Sequence, residues 1–203
     1  KECTENLERF ELGVAVQKLY DFIWDVFCDW YIELTKARIA AGGESALGAQ
    51  KVLTFVMSGI LRLLHPFMPF ITEEIWQALP NDCESIMAAS WPLFSEQLAF
   101  APEEASFEKV VELISAIRTR RSEMGVPPSR RAKVFIATSS PEIYQAGEAF
   151  ILRLASASSV EIGESFEMKN AVQAVTADAR VFIPLGELID LNKERERLQG
   201  ERA

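Results

Sequence analysis

The chain has 203 residues, 49% hydrophobic and 25% charged, with a net charge of -9 at pH 7. This balance describes an ordinary globular chain able to bury a real core, expected as one large domain or slightly more. Such acidity counts against nucleic acid as a partner, because phosphate binding is dominated by Lys and Arg. No apolar run of about eighteen residues and no signal peptide is read, so a soluble protein with no membrane partner is expected.

Cys3, Cys28 and Cys83 are odd in number and widely spaced. This argues against a disulfide framework or a zinc site and for the reduced cytoplasm, with Cys28 as a small buried hydrophobe. His65, the one histidine, cannot build a metal cluster alone and is expected to be buried and hydrogen-bonded. Position 1 is Lys rather than Met, so a piece of a longer polypeptide is expected.

The average charge hides a local exception. Between positions 118 and 133, Arg118, Arg120, Arg121, Arg130, Arg131 and Lys133 face only Glu123, giving +5 there and -14 elsewhere. Such asymmetry is the footprint expected of a phosphate-binding surface.

Taken in order, Leu12, Val16, Leu19, Ile23, Val26, Trp30 and Leu34 recur at steps of three or four, which predicts one long helix from about Thr4 to Lys36. Asp21, Asp25, Asp29 and Glu33 form a like-charge row on it, either a solvated or paired face or carboxylates offered to base amino groups. Gly42-Gly43 ends this helix. Ser45 is a candidate cap for the next, which runs to Leu64 with Gly59 permitting a close helix contact.

Two prolines, Pro66 and Pro69, then force a turn near His65, because each lacks an amide proton and restricts the residue before it. Thr72 is the expected cap of a third helix, with Glu73 and Glu74 in its first turn and its end near Leu79. Trp30, His65, Pro66, Phe67, Pro69, Phe70, Ile71 and Trp76 are read as structural, holding the bundle together. Ser90-Trp91-Pro92 is an extended connection whose aromatic could close the bundle's end. A fourth helix begins near Pro102, buries Phe107, Val110, Val111, Ile114 and Ile117, and stops at Gly125.

Beyond residue 130 the period changes. Strands are expected at 133–138, 159–162, 171–175 and 180–184, with a helix from Ser140 to about Ala155. From Gly186 the leucines fall at heptad-like steps among charges, as in the first turns of a coiled-coil arm. The domains read as a helical bundle over 1–125, a small α+β unit over 126–185 and an arm over 186–203. No phosphate loop, nucleophile elbow or His-containing triad is present, so no catalytic residues are assigned.

Three segments carry a resemblance: Phe22 to Lys36, with Cys28-Asp29-Trp30-Tyr31-Ile32-Glu33 its most specific part; Leu64 to Gln77; and Ser85 to Pro92. Together with the exit Val181 to Asp190, they resemble the C-terminal region of bacterial valyl-tRNA synthetases, class I aminoacyl-tRNA synthetases. The class I signatures resembling His-Ile-Gly-His and Lys-Met-Ser-Lys-Ser are missing from this stretch.

The resemblance implies a mainly α-helical anticodon-binding bundle, a small α+β subdomain and the start of a coiled-coil arm. It implies tRNA(Val) as partner, the catalytic and editing domains in the same chain, a cytoplasmic monomer, and ATP and Mg in the parent enzyme but no cofactor here. Tyr31, Glu33, Lys36 and Arg38 become the expected contacts to the anticodon stem-loop, with Tyr31 rather than Trp30 as the stacking ring. Arg118, Arg120, Arg121, Arg130, Arg131 and Lys133 become the backbone footprint. The alternatives are the same domain of a leucyl or isoleucyl enzyme, or a helical protein-interaction module without RNA binding.

Overall fold

The computed structural model describes residues 1–81 and 83–188. It resolves into two compact units, Lys1–Glu96 and a second beginning at Gln97.

In the first unit, α1 (Glu2–Glu8) stops at Arg9 and the chain reverses through Phe10, whose φ of 60° lies in the left-handed region. The predicted long helix is therefore broken at this point. Its second part is longer than expected: α2 (Leu12–Asp21), a π-helical stretch (Phe22–Ile32) and α3 (Glu33–Ala41) form one continuous helical rod. Eleven residues of π-helix are unusual, since such turns are mostly single and concentrate at functional sites. One core forms where Cys3, Ala15 and Leu19 meet Leu7, Leu63 and Phe67. Cys28 is only half-buried, and all three cysteines are free.

Gly42 and Gly43, with φ of 73° and 72°, make the turn into α4 (Gly43–Leu64). Both conformations strain any residue with a Cβ. The expected cap by Ser45 is absent, because its hydroxyl instead accepts from Arg38 Nε at 3.1 Å. Gly59 makes no close helix contact: a Cβ there would meet nothing within 4 Å. By length and composition α4 could cross a membrane, contrary to expectation, with a mean hydropathy of 1.3 over its most apolar window. α4 contacts α2, α3 and α5, yet 17% of that window is buried, and Leu47, Val52 and Phe55 are exposed.

The elbow bends as predicted after Leu64, but α5 (Pro69–Gln77) begins at the proline itself, which suits a first helical position. Thr72 is thus inside the helix. Its hydroxyl donates to Met68 O at 2.8 Å, so His65 Nδ1, 2.7 Å away, carries the proton and donates to Thr72 Oγ1. Trp76 is 5% exposed and packs with Leu61 and Ile86. Phe70, expected in this core, is 91% exposed, and Ile71 is 47% exposed. Starting the helix at Pro69 turns both onto its outer face. Glu73 Oε2 accepts from Ser85 Oγ and Ile86 N, tying α5 to the 3₁₀ turn Ile86–Ala88. Trp91 Nε1 donates to Thr4 Oγ1 at 3.0 Å and closes the unit.

The second unit is a four-stranded sheet backed by helices. β1 (Ala132–Thr138) pairs in parallel with β2 (Ala157–Gly163) through the crossover α7 (Pro141–Ala146) and α8 (Glu148–Leu154). β4 (Ala179–Pro184) pairs antiparallel with both β1 and β3 (Ala171–Val175), giving the order β2-β1-β4-β3. Alternate residues Val134, Ile136, Val181 and Ile183 are buried on one face, as a half-covered sheet requires. α6 (Ala101–Glu123) supplies Val110, Leu113, Ile114 and Ile117 to the same core. On the other face Phe166 meets Phe135 edge-on, with ring centroids 5.4 Å apart. The boundary expected at residue 125 therefore lies near 96, because the apolar face of α6 is spent on the sheet. A short α9 (Leu185–Leu188) follows β4 and overlaps the start of the arm expected over 186–203; residues 189–203 fall outside the described residues.

Candidate nucleic-acid interface

The residues expected at the interface form two groups, one in each unit. In the first, Tyr31 lies in the π-helical stretch with its ring stacked on buried Phe27, centroids 5.9 Å apart at 21°. Tyr31 is half-buried, and that burial raises its phenol pKa while Arg38 opposes the rise. One ring face is thus occupied by protein, which fixes the side chain at little further entropic cost. Trp30 is also half-buried.

Glu33 and Lys36 form an exposed i,i+3 ion pair. Such pairs contribute only about 0.2–1 kcal/mol, so Lys36 can exchange its carboxylate for a phosphate. Arg38 donates from Nε to Ser45 Oγ at 3.1 Å and from Nη2 to Ser45 O at 3.3 Å, pinning α3 to the first turn of α4. Asp21, Asp25 and Asp29 are exposed, and Gln17 Nε2 donates to Asp21 Oδ1 at 2.7 Å.

In the second unit the basic segment divides by burial. Arg121 is 6% exposed, and its Nη2 donates to the carbonyls of Arg130 and, at 3.5 Å, Pro127. Burial lowers its pKa. Arg121 fastens the 126–131 turn to α6 and is not offered to a phosphate, which corrects the expectation for this residue. Arg118 Nε donates to Leu154 O at 2.8 Å, and Arg120 pairs with Glu123 at 2.9 Å on the surface. Arg130 Nε donates to Glu187 O, while Glu187 Oε2 accepts from the backbone of Lys133. Arg131 and the Lys133 side chain are exposed, with no acidic partner among the described residues.

A polar cluster in this unit carried no sequence signal. Asp178 Oδ1 accepts from Lys109 Nζ at 2.8 Å, and its Oδ2 lies 3.4 Å from Thr138 Oγ1 and 3.3 Å from the hydroxyl of fully buried Tyr144. The Lys109 hydrogen bond holds the Asp178 pKa below the usual carboxylate range. Burial, then the Asp178 charge, raises the Tyr144 pKa. The cluster joins residues 34 to 69 positions apart, so no local pattern reveals it. Its role is to satisfy buried polar groups.

Among the described residues no group of three or more His, Cys, Asp or Glu side chains is arranged to hold a metal ion. A family model described as the anticodon-binding domain of tRNA ligase matches residues 1–136. The chain belongs to the tRNA-ligase anticodon-binding family. Similar proteins extend the match beyond residue 136. The valine–tRNA ligase of Clostridium tetani is 48% identical over 202 residues, 98% of this chain and 23% of that protein. Those of Clostridium acetobutylicum and Bacillus subtilis are 45% and 39% identical over 100% and 99% of the chain. The chain spans about a quarter of the length of these relatives. Within this family, rings and cations carried on rigid helices are suited to hold an unstacked RNA loop by stacking, base-edge contacts and phosphate pairing.

Proposed function

We propose that this chain recognises and positions tRNA(Val) as part of a valine–tRNA ligase. The observation that carries the reading is the similarity to valine–tRNA ligases over 98% or more of the chain. Tyr31, already stacked on Phe27, offers its other face to an unstacked anticodon base, with Glu33 and Lys36 beside it for base-edge and backbone contacts. Arg38 holds the end of α3 in place beside them. Stacking is typically worth about 1 to 3 kcal/mol per base, enough for a few contacts to separate one anticodon from another.

The parent enzyme joins valine to its tRNA with ATP and Mg in catalytic and editing domains of the same chain, as a monomer in the cytoplasm. Among the described residues no group of three or more His, Cys, Asp or Glu side chains could hold a metal ion, and no chemical step is assigned to them. Exposed apolar side chains on the helical rod, among them Phe22 and Val26, supply surface for those domains.

The test is equilibrium binding of the full-length enzyme to tRNA(Val) transcripts with native and altered anticodons. Tighter binding to the native anticodon, lost in Tyr31→Ala, supports the reading. Binding indifferent to the anticodon would overturn it and favour a protein-interaction role.

A further inference from the structure

A serine at the start of a helix is ordinarily spent on capping it. Ser45, in the first turn of α4, caps nothing, and its hydroxyl accepts from Arg38 on the preceding helix. The two helices have little else to fix the angle between them. Over α3 and the first two turns of α4 the buried side chains are small, Thr35, Ala46 and Ala49, and side chains of that size remove little apolar area from water. The turn between them is Gly42-Gly43, where a Cβ at either position would meet nothing within 4 Å, so no side-chain contact stiffens it.

Arg38 reaches across this turn. Besides the bond from Nε to Ser45 Oγ, its Nη2 donates to Ser45 O at 3.3 Å, and a Cβ on Gly48 would lie 4.0 Å from Nη2. The guanidinium therefore lies along the first two turns of α4. A planar fork with two donors on one residue sets orientation as well as distance, because it cannot rotate without losing both bonds. At the other end of α3 the same charge reaches Tyr31, whose phenol pKa is raised by burial and drawn back by Arg38.

We propose that Ser45 is a positioning residue of the tRNA site: by holding the Arg38 guanidinium it fixes α3 against α4 and so presents Tyr31 and Lys36 to the anticodon loop. This rests on the tRNA reading above. Ser45 touches no RNA in this arrangement; it acts only through Arg38.

The experiment measures binding of tRNA(Val) to the full-length enzyme at one fixed salt concentration, for Ser45→Ala, Ser45→Thr, Arg38→Ala and the double variant Arg38→Ala/Ser45→Ala, with the melting temperature of each. Losing a bond of this kind is expected to weaken binding about threefold to tenfold in Ser45→Ala. Ser45→Thr, which keeps the hydroxyl, binds as the wild type, the double variant binds as Arg38→Ala alone, and Ser45→Ala keeps the wild-type melting temperature. Wild-type affinity in Ser45→Ala would sink the proposal. So would losses that multiply in the double variant, an equal loss in Ser45→Thr, or a loss that comes with a lowered melting temperature. Failure of the wild-type enzyme to prefer the native over an altered anticodon would instead remove the tRNA reading itself.

Discussion

At the scale of single residues, neighbouring arginines in one basic segment have opposite fates. Arg120 is exposed and paired at the surface; Arg121 is buried and donates to two backbone carbonyls. Replacing Arg121 with Ala strands those carbonyls and is expected to cost about 1–3 kcal/mol in urea denaturation, against less than about 1 kcal/mol for Arg120→Ala. Helix periodicity separates the two, since Arg121 continues the buried stripe of Val110, Ile114 and Ile117 while Arg120 lies off it; counting charge alone treats both as one cationic end of α6. Phe70 shows the converse: an aromatic between prolines reads as core, yet the helix starting at Pro69 turns it to solvent. The Asp178–Tyr144 cluster makes stability depend on pH at both ends. Because the Asp178 pKa is lowered, its contribution is present above the unfolded carboxylate value of about 4 and lost as pH falls below it. Because the Tyr144 pKa is raised, its contribution is present below about pH 10 and lost as pH rises beyond. Stability measured against pH should therefore show an acid loss that Asp178→Asn removes and an alkaline loss that Tyr144→Phe removes.

At the scale of elements, the contact between α6 and the α7–α8 junction depends on an absent side chain. A Cβ on Gly147 would lie 2.9 and 3.0 Å from the two methyls of Val110. Gly147→Ala is expected to destabilise the unit by about 1–3 kcal/mol, and Val110→Ala in the same chain should recover part of that loss, as a double-mutant cycle would detect. Gly147 also explains why the single helix expected over 140–155 is divided into α7 and α8. Most elements were legible, because the 3.6-residue period survives in α4 and α6, the two-residue period in β1, and β-branched and aromatic residues mark the other strands. The π-helical stretch was not, because its apolar spacing over 22–32 fits α-helical turns equally well. The break at Phe10 was hidden too, since no Gly or Pro marks it.

At the scale of the whole molecule, the average charge of -9 conceals a basic stretch in which Arg131 and Lys133 are exposed. The assignment of α6 to the sheet has a practical counterpart. A chain beginning at Gln97 should fold cooperatively, whereas one beginning at residue 126 would leave Val134, Ile136 and Val181 without their cover and should remain molten, as near-UV circular dichroism would report. The bond from Trp91 to Thr4, with the Lys1 ammonium over the Phe94 ring at 5.7 Å, has a consequence of another kind. It brings the two ends of the first unit to one place, so the path of the chain through that unit is nearly a closed ring. A ring can be opened elsewhere: residues 1 to 96 rejoined by a short flexible link and cut between Gly42 and Gly43 should keep the same helices in the same places.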